Sequence, residues 1–350
     1  MSFAEVPGQE QAVTFFRHAV AGGRLAHAYI LVGSAGSGRR ALARALGQYL
    51  FCANRGDPAD TAEAALAESA DACGTCRACR LIAQDAFADF HWYARPEGKQ
   101  QLVVQVIEEF RREVHLKPLE ADRKVFVIED ADKLNPSSAN KLLKVLEEPP
   151  PESLLLLLAL DVRDFLPTIL SRCHVVRLQP MPTEALSSRL ERFSGCSAEA
   201  AGYLSHFTMG SPGQASMLAE ANFFAERDWL VDLATTLREG EHFIPAEELF
   251  KQASAGTDST QERRERLLRY LDVLALFYRD VLAAAFSSET PLVNTGRAAD
   301  VRALATRLGS VRAERILSAV ARAREAVSLN ANQKLLLENL TFDLAQLQSL

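Results

Sequence analysis

The sequence lacks an apolar run long enough to cross a bilayer. The longest uninterrupted run, Leu154 to Leu160, has seven residues, whereas a membrane-spanning helix needs about 20. The N-terminal stretch contains Glu5 and Pro7 and shows no basic segment followed by an apolar one, so no secretory signal is predicted. We therefore expect a soluble cytoplasmic protein.

An excess of basic residues is also missing. The chain has 39 Lys and Arg against 45 Asp and Glu, which gives a net charge of −6. This balance excludes a uniformly basic protein that coats nucleic acid, although it is compatible with a local basic patch. With 350 residues, 48% of them apolar, the chain is long enough for two or three domains whose cores need no disulfides.

Cysteine occurs in the pattern of a metal site. Cys73, Cys76 and Cys79 are each separated by two residues, and Cys52 lies upstream of them. In a cytosolic chain, clustered cysteines favour a metal over disulfides, and four thiolates suit a structural zinc ion with no open position for catalysis. An iron–sulfur cluster and free thiols remain as alternatives, although the ferredoxin continuation x3-Cys-Pro is absent after Cys79. Two isolated cysteines are expected to be ordinary half-buried residues: Cys173 and Cys196.

Three apolar segments in the first half of the chain alternate with helical patterns. They predict strands at Ala28–Val32, Lys124–Ile128 and Leu154–Leu160. Continuous apolar strands separated by helices indicate an α/β fold with a parallel sheet that is covered on both faces. The acidic, alanine-rich segment 53–72 is predicted to be a solvated excursion within the cysteine module, which spans about 52–79.

Beyond the sheet, every strong pattern in the sequence is helical. Pro180 and Pro182 mark the first boundary. The sequence predicts an α/β domain at 1–178, a small helical domain at 179–221 and a larger all-helical domain at 222–350. Apolar stripes in the last domain, around Leu267–Tyr278 and Leu335–Leu344, are more typical of a core than of an interface.

A glycine-rich loop follows the first predicted strand. Gly33 and Gly38 have the spacing of the phosphate-binding loop G-x-x-x-x-G-K-[ST], in which Lys contacts phosphates and the hydroxyl residue ligates Mg²⁺. Here Arg39 replaces the lysine and Arg40 replaces the hydroxyl residue. Arg40 offers no oxygen to a metal, and the planar fork of Arg39 is a poor substitute for a compact ammonium group.

The acidic pair after the second predicted strand also departs from a hydrolytic pattern. Such a site would usually carry Asp-Glu, with one carboxylate for the metal and one for water, whereas this chain has Glu129-Asp130. We interpret the loop and the acidic pair as a nucleotide site that has lost binding. Two alternatives remain, namely a working site that uses Arg39 and a glycine turn that never held a ligand.

Several motifs, taken in their order along the chain, resemble the delta-prime family of bacterial DNA polymerase III clamp-loader subunits, which are AAA+ relatives of the tau/gamma motors. The resemblance covers almost the whole chain. Besides the cysteine module, it rests on His27-Ala-Tyr-Ile-Leu-Val-Gly33, Lys124 to Asp132, Asn140-Lys-Leu-Leu-Lys-Val-Leu-Glu-Glu-Pro-Pro150 and Thr168-Ile-Leu-Ser-Arg-Cys173. It implies an AAA+-type sheet domain with an inserted zinc module, followed by a helical lid domain and a helical collar through which ring subunits associate. The gap between Cys52 and Cys73 is longer than that family's usual spacing.

Three features resemble delta-prime rather than the motor subunits. The first is the degenerate loop. The second is Gly210-Ser-Pro-Gly213, because motor subunits carry a nucleotide-sensing arginine in this neighbourhood. The third is Ala159-Leu160-Asp161, where motor subunits usually have a threonine. The resemblance therefore implies a non-catalytic clamp-loader subunit of the replicative holoenzyme that binds no ATP itself. The alternatives are an active ATPase motor of the tau/gamma type and, less favoured, a zinc-dependent nucleic-acid module.

The motif Ser171-Arg172-Cys173 implies a role in a neighbouring subunit's active site. In such rings an arginine reaches the ATP held next door, and arginine fingers of this kind contribute about 10³–10⁵ in rate. The alternative for Arg172 is a local salt bridge.

The resemblance also implies partners. These are the tau/gamma and delta subunits, the sliding clamp and primed DNA. Lys141 and Lys144 are candidate contacts to DNA phosphates, although two lysines on one helix are usually a solvated face. The segment Asn330-Ala-Asn-Gln-Lys334 resembles the collar of that family.

Overall fold

The computed structural model describes residues 2–55, 70–95, 104–237, 240, 243–287, 289–329 and 331–349. The chain divides into two compact units: unit 1 comprises Met1–Pro182 and Gly210–Gln214, and unit 2 comprises Thr183–Met209 and Ala215–Leu350. Most of the acidic segment 53–72 and the motif residue Asn330 lie outside the described residues. The division into domains at 1–178, 179–221 and 222–350 stays a prediction.

A parallel sheet forms the centre of unit 1. In chain order its strands are β1 (Ala28–Val32), β2 (Phe90–Tyr93), β3 (Lys124–Ile128), β4 (Ser153–Ala159) and β5 (His174–Arg177). They lie side by side in the order β2-β3-β4-β1-β5, and each neighbouring pair is parallel. The predicted parallel sheet is confirmed.

The two strands at the edges of this sheet, β2 and β5, were not predicted. Each has four residues, and each contains a histidine and half-exposed positions. Edge strands face solvent on one side, so their sequences lack the continuous apolar run by which the three central strands are recognised.

Helices cover both faces of the sheet. Those of unit 1 are Glu10–Ala21, Arg39–Phe51, Arg77–Ala83, Val104–Val114, Pro136–Glu147 and Pro167–Leu170, and short 3-10 turns lie at Phe3–Glu5, Ala131–Lys133 and Val162–Asp164. The helix Pro136–Glu147 begins at Asn135, whose side chain accepts a hydrogen bond of 2.8 Å from the backbone N–H of Ser138. This is the side-chain cap that Asn-Pro-Ser predicts at a helix start.

Side chains along each central strand alternate between two apolar cores. Leu31 and Leu156 belong to the core that contains Leu42 of the helix Arg39–Phe51. Ile30 and Leu157 belong to the opposite core. Because β1 and β3 are parallel and are separated in the sheet by β4 alone, the loops that follow them emerge at the same edge. The fold therefore brings the glycine loop and the acidic pair to one place.

Unit 2 is helical throughout its described residues. Its helices are Thr183–Ser194, Ala198–Phe207, Pro212–Glu220 (whose first residues belong to unit 1), Phe223–Thr236, Phe243–Ser254, Thr260–Phe286, Ala298–Ser328 and Gln333–Ser349, and a 3-10 turn lies at Thr295–Arg297. The predicted apolar stripes are largely core, since Leu267, Leu271 and Leu274 are buried. Leu335, in contrast, is exposed.

A buried arginine joins the predicted lid residues to the helices that follow. The Arg227 guanidinium contacts the rings of Tyr203 and Phe224, 5.0 and 4.8 Å from their centroids, and pairs with Asp228 at 2.7 Å. Stacking on two rings and pairing with a carboxylate satisfy this charge away from water. The contact explains why 183–209 and the later helices fall into one compact unit.

The helices of the described ranges include none that is both long enough and apolar enough to cross a membrane. The predicted cytoplasmic location stays a prediction.

Two helical glycines provide a matched test of packing. A Cβ at Gly47 would lie 2.4 Å from the ring of Phe90, which is 3% exposed in the core, whereas a Cβ at Gly202 would meet nothing within 4 Å. We predict that Gly47→Ala destabilises unit 1 by about 1–3 kcal/mol through overpacking, and that Gly202→Ala stabilises unit 2 by about 0.4–1 kcal/mol. Scanning calorimetry of both variants measures the shifts, and an unchanged melting temperature for Gly47→Ala would contradict the packing described here.

Candidate functional site

The glycine-rich loop connects β1 to the helix Arg39–Phe51 at the carboxyl edge of the sheet. Gly36 and Gly38 have φ values of +73° and +98°, which L side chains rarely adopt. Glycine therefore suits both positions of this turn, and the side chains that follow it determine the chemistry at this end of the strands.

Arg39 occupies the lysine position of the loop and is half-buried. Burial lowers the pKa of its guanidinium, and the carboxylates of Asp132, Asp130 and Glu129 oppose that shift. The acidic residues that follow β3 therefore stabilise the charge of Arg39. Asp132 itself is buried, and its carboxylate accepts a hydrogen bond of 3.4 Å from the backbone N–H of Leu160.

Arg40 occupies the position of the metal-binding hydroxyl and pairs with the first residue of the acidic motif. Its Nε lies 3.0 Å from Glu129 Oε1, and the indole N–H of Trp92 donates a hydrogen bond of 3.1 Å to Glu129 Oε2. Both oxygens of Glu129 therefore have partners within this chain. The guanidinium of Arg44 lies 4.8 Å from the Trp92 ring centroid, and that of Arg40 lies 5.9 Å from it.

The second acid of the motif is paired in the same way. Asp130 adopts a left-handed conformation with a φ of +51°, and one of its carboxylate oxygens lies 3.2 Å from Arg95 Nε. Sequence reasoning found Arg40 and both acids but missed Arg95 and Trp92. Trp92 lies in β2 and Arg95 follows it, and this edge strand carried no clear signal in the sequence.

A short segment of unit 1 holds the loop from outside. The Ser211 hydroxyl donates a hydrogen bond of 2.8 Å to the Ala35 carbonyl, and the Gly213 N–H donates one of 3.0 Å to the Gly36 carbonyl. A Cβ on Gly36 would lie 2.4 Å from Ser211 Oγ. The predicted motif Gly210–Gly213 therefore contacts the loop directly.

The side chain of Gln9 ties the loop to the end of the sheet. Its Nε2 donates to the carbonyls of Ser37, at 3.2 Å, and Gln179, at 2.7 Å. Its Oε1 accepts a bond of 3.1 Å from the Gln179 N–H. Nothing in the sequence pattern marked Gln9, because a lone glutamine before a helix carries no motif.

The four clustered cysteines come together as a second candidate site. The sulfurs of Cys52, Cys73, Cys76 and Cys79 all lie within 4.8 Å of one another. Four thiolates around zinc at about 2.3 Å are separated by roughly 3.8 Å in a tetrahedron, so the donor set and its spacing fit a metal of that kind. The structure brings Cys52 to the other three despite the long intervening segment.

Hydrogen bonds and burial shift the pKa values of these thiols in opposite directions. The backbone and the hydroxyl of Thr75 and the N–H of Cys76 lower the pKa of Cys73 to about 6. Burial raises the pKa values of Cys52 and Cys79, so these two thiols need a cation to become thiolates. Gln48, missed by sequence reasoning, donates a hydrogen bond of 2.6 Å to the Cys79 carbonyl and connects the module to the helix after the glycine loop.

Arg172 precedes the amino end of β5. It therefore lies at the opposite end of the parallel strands from the glycine loop, which follows the carboxyl end of β1. Its NH2 lies 3.0 Å from Glu147 Oε1, and its NH1 donates a hydrogen bond of 2.9 Å to the Thr168 carbonyl. Within this single chain, Arg172 therefore makes the local salt bridge that was the alternative to a finger. Of its motif neighbours, Ser171 is exposed, and burial raises the pKa of Cys173 to about 12.

The remaining predicted residues lie apart from these sites. Lys141 pairs with Glu108 through its ammonium group, and Lys144 is exposed on the same helix. Burial also raises the pKa of the isolated Cys196.

Comparison with known proteins places the chain in a family. Residues 8–182, half of the chain, match the family model described as "DNA polymerase III, delta subunit". The chain is 27% identical over 331 residues to DNA polymerase III subunit delta' of Bacillus subtilis, a match that covers 92% of each protein. It is 32% identical over 190 residues to DNA polymerase III subunit tau of Escherichia coli, which covers 54% of this chain and 27% of that protein.

Among solved structures, a DNA polymerase III gamma subunit-related protein from Thermotoga maritima superposes with a TM-score of 0.48 at 14% identity, and the match covers 97% of this chain and 99% of that one. This similarity is too low to add to the sequence matches. The family match and the near full-length relative show that the chain belongs to the DNA polymerase III delta-subunit family and is related to the delta' and tau/gamma clamp-loader subunits of DNA replication.

Proposed function

We propose that the chain is a non-catalytic clamp-loader subunit that helps to load the sliding clamp onto primed DNA and supplies Arg172 to ATP held by a neighbouring subunit. Its partners in this role are the tau/gamma and delta subunits. The predicted collar, 222–350, is the region through which it associates with them. Primed DNA contacts the complex through phosphates, for which Lys144 is the exposed candidate on this chain.

The observation that carries the non-catalytic role is the pairing of both acids with arginines of this chain. Phosphoryl transfer of this class needs a metal ion held by a hydroxyl residue and a carboxylate, and a further group that orients water. Here Glu129 is paired with Arg40 at 3.0 Å and Asp130 with Arg95 at 3.2 Å. A guanidinium has donors only, so neither arginine replaces a metal ion that coordinates phosphate and water together.

A motor of the tau/gamma type is the second candidate. The observation in its favour is that Arg39 is half-buried and that the acidic residues stabilise its charge, as expected of a cation at the lysine position of the loop. The candidate still lacks the hydroxyl residue that ligates Mg²⁺ in such loops, because Arg40 stands at that position.

We propose that the cysteine cluster binds one structural zinc ion. Its ligands would be Cys52, Cys73, Cys76 and Cys79, and four thiolates leave no open position for a substrate. The metal would fix the segment that follows the helix Arg39–Phe51. Because unfolded thiols do not form such a site, metal binding would stabilise unit 1.

For Arg172, we predict that Arg172→Ala in the reconstituted clamp loader slows hydrolysis at the facing ATP site by about 10³-fold, while assembly of the complex is unchanged. Single-turnover ATP hydrolysis measures the rate, and gel filtration measures assembly. Arg163→Ala is the matched control, since Arg163 is an exposed arginine with a similar local partner, Asp161 at 2.5 Å. Equal rates of hydrolysis in the Arg172→Ala complex and the unchanged complex would contradict the proposed role of Arg172.

For the metal, we predict one zinc ion per chain by elemental analysis. Cys79→Ser should lose it and lower the melting temperature of unit 1, because a buried ligand is removed. Cys173→Ser, a change at a cysteine outside the cluster, should retain the zinc. Iron with visible absorbance, or full zinc content in Cys79→Ser, would contradict this assignment.

A further inference from the structure

The guanidinium of Arg172 is held by this chain at both of its terminal nitrogens. NH1 donates to the Thr168 carbonyl at 2.9 Å and lies 3.3 Å from the Ser171 hydroxyl oxygen. NH2 lies 3.0 Å from Glu147 Oε1. If Arg172 reaches a neighbour's phosphate, it must give up at least some of these contacts, because the phosphate oxygens need the same N–H donors.

Glu147 has an electrostatic reason to pair with an arginine at this position. It is the last residue of the helix Pro136–Glu147, and the negative end of the helix dipole disfavours a carboxylate there. A cation beside this helix end offsets both the dipole and the carboxylate charge. The contact therefore stabilises the end of the helix as well as the arginine.

The contact is nevertheless exchangeable. The side chain of Arg172 is 35% exposed and that of Glu147 is 51% exposed, and exposed ion pairs are weak because water screens them. A triphosphate carries several negative charges and accepts bidentate hydrogen bonds from arginine. A nucleotide brought next to Arg172 would therefore displace Glu147.

We infer that Glu147 is a positioning residue that holds Arg172 in a parked state and competes with the neighbouring subunit's ATP for its guanidinium. This inference rests on the proposed function, in which Arg172 acts in trans. At any moment Arg172 is released from Glu147 in only a fraction of the molecules. The apparent affinity of Arg172 for the phosphate is therefore the affinity of the released form multiplied by that fraction. Glu147 thus lowers the rate of hydrolysis modestly until a loaded neighbour closes against Arg172 and displaces it.

The test uses the reconstituted clamp loader with steady-state ATP hydrolysis, and it reports kcat and KM separately. We expect Glu147→Gln to lower KM or raise the basal rate by about two- to fivefold, the range that an exposed ion pair provides. Glu147→Asp keeps the charge and should stay within about twofold of the unchanged complex. Glu148→Gln, an exposed acid next in sequence, is the matched control and should have no effect.

The double variant Glu147→Gln/Arg172→Ala separates competition for the finger from a general structural effect. If Glu147 acts through Arg172, the double variant equals Arg172→Ala alone. Three results would overturn the inference. Glu147→Gln could have an effect that persists without Arg172, it could lower the rate as Arg172→Ala does, or it could have no effect at all. If Arg172→Ala itself has no effect, the proposed finger fails first, whereas an active Arg172 with a silent Glu147→Gln defeats the parked state alone.

Discussion

The position of Arg40, in place of the metal-binding hydroxyl, is the constraint on which the proposed chemistry of the glycine loop depends, and Arg40 also forms an ion pair with Glu129. At 3.0 Å this pair places a monovalent group with donors only where a hydrolytic site needs a divalent ion. The loop nevertheless keeps a defined conformation, because Ser211, Gly213 and Gln9 bond to its carbonyls. Gly36 thus allows close packing within unit 1, since a Cβ at this position would lie 2.4 Å from Ser211 Oγ.

The parallel sheet gives unit 1 two edges with different roles. The carboxyl edge carries the glycine loop and the paired acids, whereas Arg172 precedes the amino end of β5. A subunit in a ring has a neighbour on each side, so one chain can lack its own nucleotide chemistry and still contribute to the chemistry of another. The local pair with Glu147 is compatible with such a role only because it is exposed and exchangeable.

Much of this arrangement was predictable from the sequence. The strands Ala28–Val32 and Lys124–Ile128 have continuous apolar runs, and the loop spacing of Gly33 and Gly38 identifies the site with its two replaced residues. The spacing of Cys73, Cys76 and Cys79 predicted the cysteine cluster, and the structure adds Cys52 across the long gap as the fourth member. Arg95, Trp92 and Glu147 were not predictable, because their partners are remote or lie on weakly patterned edge elements, and side-chain pairing across such distances leaves no periodic signal.

Equilibrium dialysis of the purified chain against labelled ATP and Mg²⁺ tests the proposed loss of nucleotide binding most directly. If Arg39 and Arg40 replace the lysine and the Mg²⁺ ligand that nucleotide binding needs, no saturable binding occurs up to about 1 mM ATP, which corresponds to an affinity weaker than roughly −4 kcal/mol. Saturation at micromolar ATP would contradict this conclusion. It would show that Arg39 performs the work of the missing lysine and that the chain is a motor.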